Sequence, residues 1–88
     1  FSMRIKFHIN CKKQYTKLRK NEQKRVKERL ALFLADEFNP ILNNHPLRGR
    51  YTGYRSVSIT GDLRAIYKFQ RNDVRIFVTI DSHSNLYE

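Results

Sequence analysis

The apolar residues of this chain recur with period two, then at helical spacing, then with period two again, and that order admits few folds. Met3, Ile5, Phe7 and Ile9 alternate with Arg4, Lys6 and His8, which predicts a half-buried strand over residues 3–9. Cys11, Tyr15 and Leu18 then fall on one face of a helix that Asn10 can cap. Asn21 restarts the helical pattern, with Glu22 in the first turn, where a negative charge suits the dipole. Val26, Leu30, Phe33, Leu34 and Phe38 continue at helical spacing until Asn39-Pro40 stops the run. The two helices form a hairpin, basic outside and apolar inside.

Residues 39–52 read as a loop, punctuated by Pro40, Asn43-Asn44, Pro46 and Gly49. From Gly53 onward the chain reads as a three-stranded meander. Val57 and Ile59 alternate with Ser56 and Ser58; Thr60-Gly61-Asp62 is a turn; Leu63 to Phe69 is the next strand. Arg71-Asn72-Asp73 turns again, and Val74, Ile76, Val78 and Ile80 share one face of the last strand. Register decides which side chains meet solvent. A two-residue Gly61-Asp62 loop would pair Ile59 with Arg64 and mix charge into the core face. A loop one residue longer aligns Val57 and Ile59 with Ala65 and Tyr67, and gathers Ser56, Ser58, Arg64 and Lys68 on the other face. The longer loop keeps the buried face apolar and is preferred. The predicted fold class is α+β: a strand, a two-helix hairpin, then a three-stranded antiparallel meander, with the helices on one face of an antiparallel sheet.

At 88 residues, 40% of them apolar, the chain fills one two-layer core and no second, so residues 3–88 read as a single domain. Phe1 and Ser2 precede the only methionine and read as an expression remnant. No apolar run approaches the roughly 18 residues that span a bilayer, and no secretory h-region follows Met3. The expectation is a soluble cytoplasmic protein with no membrane partner. Cys11 is alone, which rules out an internal disulfide and a thiolate metal site. His8, His45 and His83 fit no local metal motif, so no metal and no cofactor is expected. Eighteen Lys and Arg against eight Asp and Glu give a net charge of +10. That exceeds the magnitude of about 2–8 that suffices for solubility, and it favours a polyanionic partner such as a nucleic acid, a ribosome or an acidic protein.

Cleavage of RNA without a metal needs a base for a ribose 2′-OH, cations for the crowded phosphate and an acid for the departing 5′-oxygen. The exposed sheet face and its rim offer candidates for each. His83 follows the last strand, with the phenol of Tyr87 four residues on; Asp62 sits in a turn; His45 sits on the loop leading into the sheet. Arg55, Arg64 and Lys68, with Arg48 and Arg50 on the loop, can supply positive charge. Taken singly, each has an ordinary structural role. His83 can cap or sit on the surface, Asp62 beside Gly61 is common turn chemistry, Tyr87 can close the core, His45 can be a plain loop residue, and the arginines can be a solvated face.

In combination they resemble a known family. His45-Pro46-Leu47-Arg48-Gly49, then Gly53-Tyr54-Arg55-Ser56, then Gly61-Asp62-Leu63-Arg64-Ala65-Ile66-Tyr67 look like the RelE/StbE branch of the RelE/ParE toxin superfamily. The ending Ile80-Asp81-Ser82-His83-Ser84-Asn85-Leu86-Tyr87 is similar to that branch's I-G-T-H-S-x-L-Y terminus, and the likeness, closest to YafQ-type toxins, runs from Met3 to Glu88. The resemblance implies a type II toxin that cuts messenger RNA, often in the A site of the 70S ribosome, and is held silent by a cognate antitoxin. It implies an active site of His45, Asp62, His83 and the aromatic Tyr87. His83 would donate a proton to the leaving oxygen, and Asp62 or His45 would accept one or orient the acceptor. Asp81 replaces the usual glycine and adds a carboxylate that would favour a charged imidazole and repel phosphate. Ser58 stands where some YafQ-like toxins carry another histidine. Two other readings share the fold and charge: a ParE-like inhibitor of DNA gyrase, and a catalytically degenerate module that binds nucleic acid or antitoxin.

Overall fold

In the chain's computed structural model, residues 3–87 are described; Phe1 and Ser2, Glu88 and the side chain of Tyr87 lie outside the described residues. The first strand, β1 (Arg4–Phe7), is followed by helices α1 (Ile9–Thr16) and α2 (Lys20–Ala35). Then come strands β2 (His45–Pro46), β3 (Arg55–Ser58), β4 (Leu63–Arg71) and β5 (Val74–Ser82), and a terminal turn of helix, α3 (His83–Tyr87). The strands form one sheet in the order β1-β5-β4-β3-β2. The predicted α+β class, the helical hairpin and the meander are all present, and the sheet is mixed.

The mixed character corrects the expectation of a wholly antiparallel sheet. β1 runs parallel to β5, with Arg4 opposite Val74 and Phe7 opposite Phe77. Parallel neighbours need a long crossover, and here everything between β1 and β5 supplies it. Past Phe7, the backbone turns into α1. His8, and not Asn10, caps that helix, its Nδ1 accepting from Asn10 N at 3.1 Å. Ile9 therefore lies in the helix and is 60% exposed, so the alternation of the first strand stops short of it. Beyond Phe77, β5 has no neighbouring strand on that side. Gln14 of α1 fills the gap, its Oε1 accepting from Ile80 N at 2.9 Å and from Thr79 Oγ1 at 3.0 Å.

α2 begins one residue before Asn21, with Arg19 at the cap and Glu22 accepting from Arg19 N at 3.0 Å. It ends at Ala35, before Asn39-Pro40, and a 3-10 turn over Pro40–Leu42 follows. Val26 and Phe33 are buried, whereas Leu34 and Phe38 are exposed, because the stripe facing the sheet is narrower than the run of apolar residues. Cys11, Val26 and Phe33 pack on Val57, Ile59, Leu63, Ala65, Tyr67, Phe77 and Ile80. Phe33 meets Tyr67 and Phe77 edge-on at 4.9 and 5.2 Å. Burial pushes the Cys11 thiol up to about 11, so it acts as a small hydrophobe.

The β3–β4 hairpin takes the longer loop, pairing Val57 with Ala65 and Ser58 with Arg64. The β4–β5 register shifts between Ile66 and Tyr67, so β5 bulges at Val78. Phe77 and Ile80, three apart, therefore both join the helix-facing core, and the expected shared face of Val74, Ile76, Val78 and Ile80 is broken. Ser56 is fully buried instead of exposed, its hydroxyl without a partner among the described residues. Ile66, beside it in register, and Leu86 of α3 are buried too, which shows that this second face is partly covered.

α3 was not anticipated. Ser82 Oγ accepts from Asn85 N at 3.2 Å, the N-cap geometry, and Asp81 Oδ1 accepts from Ser82 N at 2.8 Å and Asn85 Nδ2 at 3.1 Å. Asp81, which stands where the resemblance implies a glycine, is thus part of a capping cluster.

At the other end of the sheet, Arg75 and Glu37 form an ion pair whose side chains are only 8% and 9% exposed. Arg75 donates to both carboxylate oxygens, at 3.2 and 3.3 Å, and to the carbonyls of Arg71 and Asn72. Its guanidinium lies 3.8 Å from the ring centroid of Phe69. Tyr67 donates its hydroxyl to Glu37 Oε2 at 2.7 Å, and burial holds that phenol protonated well above the usual range. Removing one member of such a pair strands a buried charge. Glu37→Ala is expected to cost about 3–5 kcal/mol, read as a lower urea midpoint; a loss under about 1 kcal/mol would show that the pair does not hold the fold together. Ser82→Ala should cost about 1 kcal/mol and speed amide exchange at Asn85 and Leu86, leaving the β5 amides unchanged.

Candidate functional site

The face of the sheet away from the helices carries the candidate chemistry, and cross-strand register lays it out. His45 of β2 lies opposite Ser56, Ser58 opposite Arg64, and Arg64 opposite Asp81. His83 begins α3 one residue past β5, with its N–H donating to the carbonyl of Asp62 at 2.8 Å. The β3–β4 turn thus holds the start of the terminal helix in place. A cleft of about 280 Å³ forms where these elements meet, walled by Asn43, His45, Leu47, Arg64 and His83. Two histidines and an arginine from three separate elements share one hollow.

The local backbone explains His45. Asn43 takes a left-handed conformation (φ 46°), which Asn tolerates better than most side chains. Its carbonyl oxygen lies 2.8 Å from His45 Nδ1. A carbonyl only accepts, so this contact is a hydrogen bond in the tautomer that carries its proton on Nδ1, and in that neutral ring Nε2 holds the lone pair. Arg64 is fixed by Nη1, which donates to the carbonyls of Thr60 at 2.8 Å and Leu63 at 3.2 Å.

Not every predicted residue joins this cleft. The carboxylate of Asp62 is exposed and outside its walls; Asp62 serves through its backbone carbonyl. Arg55 is on the helix side of the sheet, because it alternates with Ser56 and shares the face of Val57. There its Nε donates to Asn44 Oδ1 at 2.7 Å and its guanidinium lies 5.2 Å from the Phe38 ring. Its expected place among the phosphate-facing cations is corrected. Arg50 donates to the carbonyl of Leu86 at 2.9 Å, tying the loop to the end of α3. Arg48 is exposed at the start of the 3-10 turn over Gly49–Tyr51, and Lys68 is exposed with Nζ 5.5 Å from the Tyr54 ring. The Tyr87 side chain lies outside the described residues. Asn43 and Leu47 were missed as walls; the Asn43-Asn44 turn signal marked the place without showing which way it pointed.

A larger hollow of about 360 Å³ lies on the helix side, between Phe7, Cys11, Tyr15, Val26, Leu30 and Ile80. Neither a histidine nor a carboxylate lines it, which leaves it without a proton acceptor suited to neutral pH. Among the described residues, no three His, Cys, Asp or Glu side chains are grouped so as to hold a metal ion, and no helix is long and apolar enough to cross a membrane.

Comparison with known proteins bears on the fold and the family. YafQ from E. coli strain BL21(DE3) superposes with a TM-score of 0.80 at 19% identity, over 98% of this chain and 99% of that one. In the E. coli DinJ-YafQ toxin-antitoxin complex the match has a TM-score of 0.79 at 21% identity and covers 100% of each chain. A YoeB/ParE toxin from Agrobacterium tumefaciens matches with a TM-score of 0.76 at 16% identity, over 92% of this chain and 99% of that one. Among curated proteins there is no match. At such identities the structural likeness establishes the fold. The family model described as the bacterial toxin of type II toxin-antitoxin system, YafQ, matches residues 3–88. The chain therefore belongs to the YafQ family of bacterial toxins of type II toxin-antitoxin systems.

Proposed function

We propose that this toxin is an endoribonuclease that cuts messenger RNA by attack of a ribose 2′-OH on the adjacent phosphate. The observation that carries the reading is the convergence of His45, Arg64 and His83 on one cleft in a chain of net charge +10. His45 Nε2 takes the proton from the 2′-OH, which its Nδ1–H contact with Asn43 leaves it suited to do. The 2′-oxygen then bonds to phosphorus while the bond to the 5′-oxygen breaks. Arg64 stabilises the extra negative charge on the phosphoryl oxygens. His83 in its protonated form gives its proton to the departing 5′-oxygen. The products are a 2′,3′-cyclic phosphate and a 5′-hydroxyl end, and the protons balance between the two imidazoles.

Between His45 and Asp62 as acceptor, the walls of the cleft favour His45, since the Asp62 carboxylate stands outside them. Arg48 and Lys68 are exposed and add to the positive field that draws RNA. The ribosomal A site, a dense array of phosphate presenting a single-stranded messenger, is the setting such a field suits. A cognate antitoxin would bind the toxin and silence it, as a type II system requires; the E. coli relative is known in complex with DinJ.

Induced expression followed by mapping of RNA 5′ ends, with and without added 70S ribosomes, tests the reading. New 5′-hydroxyl ends within coding sequences are expected, whereas intact RNA with inhibited gyrase would reject it. His83→Ala should lower cleavage by about 10²–10⁴, the range for losing a general acid, while the fold survives; an unchanged rate would remove the proposed acid. Arg64→Gln should weaken RNA binding and reduce the slope of log affinity against log salt by about 1, and an unmoved slope would place the phosphate elsewhere.

A further inference from the structure

Asn44 immediately precedes His45 yet takes no part in the cleft walls. Its side chain is bound into the cluster around the buried ion pair. Nδ2 donates to the carbonyl of Glu37 at 3.0 Å and lies 2.8 Å from the Tyr67 hydroxyl. Oδ1 accepts from Arg55 Nε at 2.7 Å, and the Asn44 carbonyl lies 3.5 Å from Arg55 Nη2. Tyr67 in turn donates its hydroxyl hydrogen bond to Glu37, which Arg75 clasps from β5. One amide is thereby tied to the end of α2 and to β3 and β4, and through Glu37 to β5.

Few other side chains could do this. An aspartate would put a second carboxylate beside Glu37, and an apolar residue would leave Arg55 Nε and the Glu37 carbonyl without their partner. The peptide unit joining Asn43 to Asn44 ends at the α-carbon that this network pins. Its carbonyl is the one that meets His45 Nδ1. The Asn43 N–H is held as well, donating to the Pro40 carbonyl at 3.1 Å.

We propose that Asn44 is a positioning residue: the cluster of Glu37, Tyr67, Arg55 and Arg75 fixes the Asn43 carbonyl through Asn44, and that carbonyl keeps the His45 proton on Nδ1 and presents Nε2 to the cleft. This rests on the reading of His45 as proton acceptor. Asn44 touches no substrate; it sets which nitrogen does.

Long-range ¹H–¹⁵N correlation spectra of the imidazole rings report which nitrogen is protonated, and they need no substrate. In the wild-type chain, at a pH where the rings are neutral, His45 is expected as the Nδ1–H form. In Asn44→Ala, His45 should become a mixture of tautomers while the His83 pattern stays as it was. With single-stranded RNA, kcat should fall about 10–100-fold, the cost of a misplaced catalytic group, with KM changed less than about twofold. Tyr67→Phe, which keeps the ring and removes only the hydroxyl, should shift the tautomer ratio the same way by less, and it serves if Asn44→Ala does not fold. The proposal is overturned if wild-type His45 is the Nε2–H form, or if both variants keep the wild-type tautomer. A chain that cuts no RNA refutes the nuclease reading, while the spectra still decide whether Asn44 sets the ring.

Discussion

The structure depends on a carboxylate and a guanidinium buried together at one end of the sheet. Stripping Glu37 and Arg75 of water costs several kcal/mol per ion, and their attraction offsets that only with good geometry and with the remaining polar atoms served. Both conditions are met by the two-pronged contact, the carbonyls of Arg71 and Asn72 and the Tyr67 hydroxyl. An apolar pair would seal the core at no such cost, but it would not specify where the end of α2 meets the tip of the β4–β5 hairpin. In a domain this small, with little core to enforce register, the ion pair locates what packing alone leaves loose. The loop from α2 toward β2 leaves from that fixed point, which is why His45 inherits a defined orientation.

The cleft assembles from segments far apart in the chain because the sheet order brings them side by side. β2 is two residues long, just enough to lay His45 against β3. The β5 bulge at Val78 changes which residues face the helices, and it leaves Arg64 and Asp81 paired on the other face. The Asp62 carbonyl then catches the chain as it leaves β5. Backbone hydrogen bonds, more than side-chain packing, carry the two histidines to the same hollow.

Much of this was legible in the sequence. Period two against helical spacing separated strands from helices, and keeping Arg64 off the core face was enough to choose the β3–β4 register. His45, Arg64 and His83 could be singled out as candidates, and the structure brings the three to one cleft. What was not legible depends on contacts distant in sequence. Nothing local to Met3–Phe7 reveals that its partner is the last strand, so the parallel pairing was hidden. Arg55 reads as one more surface cation until its register opposite Tyr67 puts it on the helix side. Ser82 capped a helix that five residues were too few to announce. A bulge of one residue defeated the simple alternation of the last strand, and with it the assignment of Ile76 and Val78.

The side chain of Gln14 has a consequence beyond satisfying Ile80. Where β1 ends, the flank of β5 would otherwise offer bare amide groups to any passing extended peptide, the geometry from which strand-by-strand self-association starts. A glutamine carbonyl from the overlying helix occupies that flank at Ile80, so this stretch of β5 needs no further strand to serve its amide. Protection of this kind is built into the fold itself, and it persists when no other protein is bound.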